Sequence, residues 1–90
     1  MTKQLWRDLK IVNELGLHAR AAAQLAKTAQ GAGGSVWLGF ESEQVDAKQI
    51  VDILTLAAGQ GDQVRVTIEN ETDLSILERI AALFHDGFGE

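Results

Sequence analysis

Val64-Arg65-Val66-Thr67-Ile68-Glu69 alternates apolar and polar side chains without a break. Successive side chains of a strand point to opposite faces, so Val64, Val66 and Ile68 share one face and Arg65, Thr67 and Glu69 the other. A sheet with one apolar face needs a second layer to cover it. The flanking residues supply that layer. Downstream, Leu74, Leu77, Ala81 and Phe84 recur at helical spacing behind a capping Thr72 or Asp73, and Ile76, Ile80 and Leu83 widen the stripe. Upstream, Gly59-Gln60-Gly61-Asp62 closes a helix that carries Ile50, Ile53, Leu54 and Ala57 inward. Asp46 can cap that helix by accepting the amide of Lys48 or Gln49.

Further out, residues 35–40 make a strand candidate, Glu41-Ser42-Glu43 a hairpin-like turn, and Gln44-Val45 the start of a short return strand. Residues 19–30 are Ala-rich; Ala22, Leu25, Ala26 and Ala29 form one buried stripe, ended by Gly31, Gly33 and Gly34. Residues 5–12, with Leu5, Leu9, Ile11 and Val12, give a first strand. The order is β-α-β-β-α-β-α. It predicts an α+β domain in which three helices cover one face of a sheet. Gly87 and Gly89 predict a loose tail.

The 90 residues suit a single domain, 1–90, and 46% apolar with 23% charged residues is the balance of a folded chain. No cysteine is present, which excludes disulfides and thiolate chemistry, and 2 histidines leave no imidazole-rich metal site. No apolar run approaches the ~20 residues of a membrane span, and Met1-Thr2-Lys3-Gln4-Leu5-Trp6 lacks a signal-peptide core. A cytoplasmic protein without membrane insertion is expected. The net charge of -5 argues against nucleic-acid binding. Residues 1–40 nevertheless hold five basic side chains (Lys3, Arg7, Lys10, Arg20, Lys27) against two acidic ones, Asp8 and Glu14. An anionic ligand is drawn to that half.

Within it, Gly16-Leu17-His18-Ala19-Arg20 lies at the strand-to-helix junction. The free amides and dipole of a helix start favour an anion. Arg20 adds a planar, permanent cation suited to phosphate, and Gly16 permits a tight turn. A histidine there can act as a nucleophile, and the positive surroundings favour its neutral form. A phosphoryl group on His18 would face helix amides and Arg20.

The segment Asn13-Glu14-Leu15-Gly16-Leu17-His18-Ala19-Arg20-Ala21-Ala22-Ala23 resembles the active-site signature of HPr, the histidine-containing phosphocarrier family of the bacterial phosphoenolpyruvate-dependent phosphotransferase system. Val45-Asp46-Ala47-Lys48-Gln49-Ile50, Leu54-Thr55-Leu56 and Ala57-Ala58-Gly59-Gln60-Gly61-Asp62 resemble the family's second helix and the turn after it. The resemblance implies an open-faced β-sandwich: a four-stranded antiparallel sheet in order 1-4-2-3, covered on one face by three helices. It implies that His18 accepts the phosphoryl group on Nδ1, that Arg20 stabilises it, and that Gly16 and Ala19 border the bound phosphate. It further implies transfer from enzyme I to an enzyme IIA component, no cofactor, no metal, and a monomeric carrier without turnover of its own. Lys27, Ile50, Val51 and Leu54 are the implied partner-binding residues, although helical spacing sends Ile50 and Leu54, with Ile53, mostly to the core.

Two positions depart from the family pattern. Ala21 stands where proline is usual; it keeps the helix and adds one amide donor. Gln49 stands where many Gram-positive relatives have a serine phosphorylated by HPr kinase, so that modification is not expected. The alternative to transport is a regulatory HPr-like binding module, in nitrogen-related or transcriptional control. The presence of both His18 and Arg20 speaks against a module without transfer. Gln30 and His85 read as solvated surface, and Trp6 and Trp37 as packing residues on strands. Glu43, Asp46 and Asp52 are explained by capping and solvation rather than by a metal.

Overall fold

The computed structural model describes residues 4–90. In chain order it contains β1 (Trp6–Lys10), α1 (Ala19–Ala29), β2 (Val36–Phe40), β3 (Glu43–Asp46), α2 (Ile50–Thr55), β4 (Gln63–Ile68) and α3 (Leu74–His85). Short 3-10 turns at Glu71–Asp73 and Gly87–Gly89 flank α3. The strands form one antiparallel sheet in the order β1-β4-β2-β3. The alternating strand β4 is central, with Val66 opposite both Arg7 of β1 and Leu38 of β2.

One sheet face carries Leu9, Val36, Leu38, Val64, Val66 and Ile68, each no more than 4% exposed. These meet Leu25 and Ala26 of α1, Ile53 of α2, and Leu77, Ile80 and Phe84 of α3 in a single core. Among the described residues no helix lies over the other face. Thr67 there lies between Trp6 and Trp37, both half-buried. The Arg65 guanidinium sits 4.0 Å from the Trp6 ring and grips Asp8 through two hydrogen bonds of 2.7 and 3.0 Å. Trp37 Nε1 donates to Glu69. The tryptophans thus pack on strands as expected, on the uncovered face.

Several local expectations are corrected. The second helix starts at Ile50 with Gln49 as its N-cap; Asp46 ends β3 and accepts the Lys48 amide at 2.8 Å in a turn before the helix. Six residues make less than two turns, so α2 buries only Ile53. Leu56 and Ala58, beyond it, are buried as well, while Ile50, Leu54 and Ala57 face outward. Asp73 does precede α3, but its carboxylate accepts no amide of that helix. It takes the Gly33 and Gly34 amides instead, at 2.9 Å each, and ties the end of α1 to the start of α3.

The tail is the largest correction. Gly87, Phe88 and Gly89 all have positive φ (60°, 58° and 75°), which turns the chain back on itself. Phe88 is 1% exposed and meets Phe84 edge to face at 4.9 Å. Its carbonyl accepts Gln24 Nε2, and the Gly89 and Glu90 amides close turns onto Asp86 and Gly87. The glycines permit a packed turn and do not loosen the chain.

Candidate functional site

The junction between β1 and α1 is held by the turn between α2 and β4. Ile11 donates to the Asp62 carbonyl and accepts the Gly61 amide; Leu17 donates to the Ala58 carbonyl at 3.1 Å. Gly16, at φ 65°, closes this seam. A Cβ there would stand 2.7 Å from Gly59 Cα and 2.9 Å from the Ala58 carbonyl oxygen, so the two backbones approach as only glycine allows. Gly16 donates to the Asn13 carbonyl, and its own carbonyl accepts Asn13 Nδ2 at 2.8 Å. The Gly16 N–H is thus engaged within the turn that leads the chain into His18.

The seam delivers His18 to the N-cap of α1 in an extended conformation, where its carbonyl accepts the Ala22 amide at 2.8 Å. The amides of Ala19, Arg20 and Ala21 come before that first helical bond and have no intrahelical acceptor. No acidic residue lies in the first turn to occupy them, and Ala19 and Arg20 are exposed. The His18 side chain is 28% exposed. Amides, dipole and Arg20 therefore present positive potential around one imidazole.

The structure adds two residues that the sequence reading did not select. Glu90 places a carboxylate oxygen against His18 Nε2 and is only 17% exposed at its side chain. Asn13, 6% exposed, donates Nδ2 both to Gly16 and, at 3.4 Å, to the other Glu90 oxygen. The hydrogen bond from His18 holds the Glu90 carboxyl below the usual carboxylate range; Asn13 and the nearby Arg20 charge act in the same direction, against partial desolvation. Glu90 lies 72 residues from His18 in the chain, and no local pattern marks it. For Asn13 a signal was present: an Asn three residues before a glycine suits a side-chain-closed turn.

His18, Arg20, Glu90 and Asn13 line one shallow pocket with Val12, Glu14, Leu15 and Gln60. The expected partner-binding residues Lys27, Ile50, Val51 and Leu54 are all exposed and lie outside it. Val51 is 71% exposed, and Leu15 and Val12, at 67% and 48%, add apolar surface beside His18 that was not anticipated. Gln30, read as solvated, is exposed and also donates to the Lys48 carbonyl. Among the described residues no three His, Asp or Glu side chains gather as metal ligands, and no helix is long and apolar enough to cross a membrane.

Residues 6–86 match the family described as PTS HPr component phosphorylation site. The chain belongs to the HPr family. Two phosphocarrier proteins HPr are close in sequence: that of Cupriavidus necator, 38% identical over 86 residues, and that of Xylella fastidiosa, 36% identical over 86 residues. Each alignment covers 96% of this chain and 97% of the relative. The solved structure of HPr-C-His from Thermoanaerobacter tengcongensis superposes with a TM-score of 0.89 at 30% identity, covering 94% of this chain and 96% of that one. HPr proteins are phosphocarriers of the phosphotransferase system, and the sheet order and helical layer described above are those of the HPr fold.

Proposed function

We propose that His18 is the phosphoryl-accepting residue of this HPr-family carrier, receiving the group from phosphorylated enzyme I and passing it to an enzyme IIA component. The single observation that carries the assignment is His18 at the start of α1, beside Arg20 and three helix amides with no intrahelical acceptor. Nδ1 attacks phosphorus in line, using its lone pair, and the bond from phosphorus to the donor breaks with its electron pair going to the donor. The Ala19 and Arg20 amides and the Arg20 guanidinium offset the negative oxygens of the carried group. Ala19 and Arg20 are exposed, so these contacts are open to solvent and few, which suits a group that must leave again. The carrier works as a cytoplasmic, single-domain monomer, with Val51, Ile50, Leu54 and Lys27 at the partner surface.

The test is incubation with phosphoenolpyruvate and enzyme I of the same organism, followed by intact mass. One acid-labile phosphate is expected, absent in His18→Ala, whose melting temperature stays near native. Full-rate phosphorylation of that variant, on His85, refutes the site. Val51→Ser should raise the half-saturating enzyme I concentration more than Lys27→Ala, because apolar contact escapes screening over roughly 8–10 Å in ordinary buffer while exposed charge does not.

A further inference from the structure

Glu90 has no part in the reading above, yet its carboxylate occupies one nitrogen of the reacting ring. Its position is not that of a stray terminal side chain. Phe88 anchors the segment in the core against Phe84, Gln24 holds the Phe88 carbonyl, and the left-handed run Gly87-Phe88-Gly89 aims Glu90 back at the site. Asn13, itself locked onto Gly16, steadies the second carboxylate oxygen. Phe88 is held at its positive φ by the burial of its ring against Phe84.

We propose that Glu90 is a positioning residue for phosphoryl transfer at His18: by accepting the Nε2–H hydrogen bond it selects the neutral tautomer whose Nδ1 lone pair is free, and orients it to attack. This rests on His18 being the phosphoryl acceptor. A hydrogen bond at one imidazole nitrogen sets which tautomer is present. With the proton kept on Nε2, the Nδ1 lone pair forms the new bond to phosphorus while the donor takes back the electron pair of the bond that breaks. No proton leaves the ring in this step. The ring therefore gains one positive charge as Nδ1 bonds, and Glu90 faces that charge directly. The carboxylate also lies on the side of the ring away from Nδ1, so it does not stand where the incoming phosphoryl oxygens arrive. Asn13 and Glu90 play toward His18 the part that an orienting carboxylate plays toward a catalytic histidine elsewhere.

The experiment compares native protein, Glu90→Ala and Glu90→Gln in rapid-mixing phosphorylation by phosphorylated enzyme I, with the ring proton followed by 1H–15N spectroscopy. In Glu90→Ala the saturating rate should fall about tenfold, less than the roughly 10²–10⁴-fold of a group that itself transfers the proton, with the half-saturating donor concentration unchanged. The Nε2–H resonance, protected by the carboxylate in the native protein, should disappear. Glu90→Gln keeps an acceptor without the charge, so it should retain the resonance and recover part of the rate. A purely structural role would not separate the two variants in this way. A native saturating rate in Glu90→Ala overturns the proposal, as does a loss confined to half-saturation, which makes Glu90 a docking contact. A faster variant overturns it too, because the carboxylate would then be an obstacle. If the native chain takes no phosphoryl group on His18, both readings fall; if it does and the variants match it, only this one falls.

Discussion

Replacing Gly16 by alanine tests whether the site is built by the close approach of two backbones. The new methyl would lie 2.7 Å from Gly59 Cα and 2.9 Å from the Ala58 carbonyl oxygen. Both obstacles are backbone, which cannot rotate away like the end of a long side chain. Overpacking of this kind costs about 1–3 kcal/mol. The φ of 65° adds a second cost, about 1–2 kcal/mol for holding an L-residue in the left-handed region. Together these give about 2–5 kcal/mol, a large share of the roughly 5–15 kcal/mol that stabilises a small domain. The melting temperature should fall by about 10 °C or more, at ~4–8 °C per kcal/mol for a chain of this size.

Two neighbouring glycines separate the terms. A Cβ on Gly61, at φ 90°, meets nothing within 4 Å, so Gly61→Ala carries strain without a clash. Gly59 has neither a positive φ nor a neighbour within 4 Å of a built Cβ, and Gly59→Ala should change stability by less than about 1 kcal/mol. Urea unfolding of the three variants, followed by tryptophan fluorescence, measures the series. The expected order of loss is Gly16, then Gly61, then Gly59. A Gly16→Ala protein no less stable than Gly61→Ala would refute the argument that the contact with Ala58 and Gly59 requires glycine.

Acid should weaken the fold through specific carboxylates. Asp73 is held below its ordinary pKa by the Gly33 and Gly34 amides, Asp8 by Arg65, and Glu90 by His18. A depressed native pKa stabilises the fold above the unfolded value, and that contribution is lost as pH falls through the native one. Urea midpoints should therefore decline below the ordinary carboxylate range, and Asp73→Asn should lower the neutral-pH midpoint and flatten the decline; an equally steep acid limb in the variant would count against it. Ala57→Gly should raise stability by about 0.5–1 kcal/mol, because Ala57 is exposed just past α2 at φ 52° and glycine removes the left-handed cost at a smaller entropic one; a lowered urea midpoint would contradict this.

How legible the molecule was depended on how far each interaction reaches along the chain. Strand β4 could be read directly, because alternation is a property of adjacent residues, and Val64, Val66 and Ile68 are all buried. Its central place between β1 and β2 could not, since alternation says nothing about which strands flank it; that order came from family resemblance. Helix α2 was misread for a different reason. A stripe of Ile50, Ile53, Leu54 and Ala57 needs a helix long enough to present one face, and the helix ends at Thr55. His18 and Arg20 stood out because the helix start that gives them meaning is local. Glu90 did not, because its meaning comes from a contact 72 residues away.

Ala21 shows how the long-range part sustains the local part. Proline, usual at this position in the family, stiffens a helix start by fixing φ. Here the start is as well formed without it: Ala21 is fully buried, and the Ala22 amide reaches the His18 carbonyl at 2.8 Å. The entry into the helix is held from outside, by Leu17 on the Ala58 carbonyl, Gly16 against Gly59 and Asn13 on the Gly16 carbonyl. Restraint that a ring would impose on one residue is thus distributed over a seam between two loops. The exchange leaves the Ala21 N–H in place, a third donor in the first turn where proline would leave two. A helix start held this way depends on the Gly16 seam, which is why substitution there is the sharper probe of the whole arrangement.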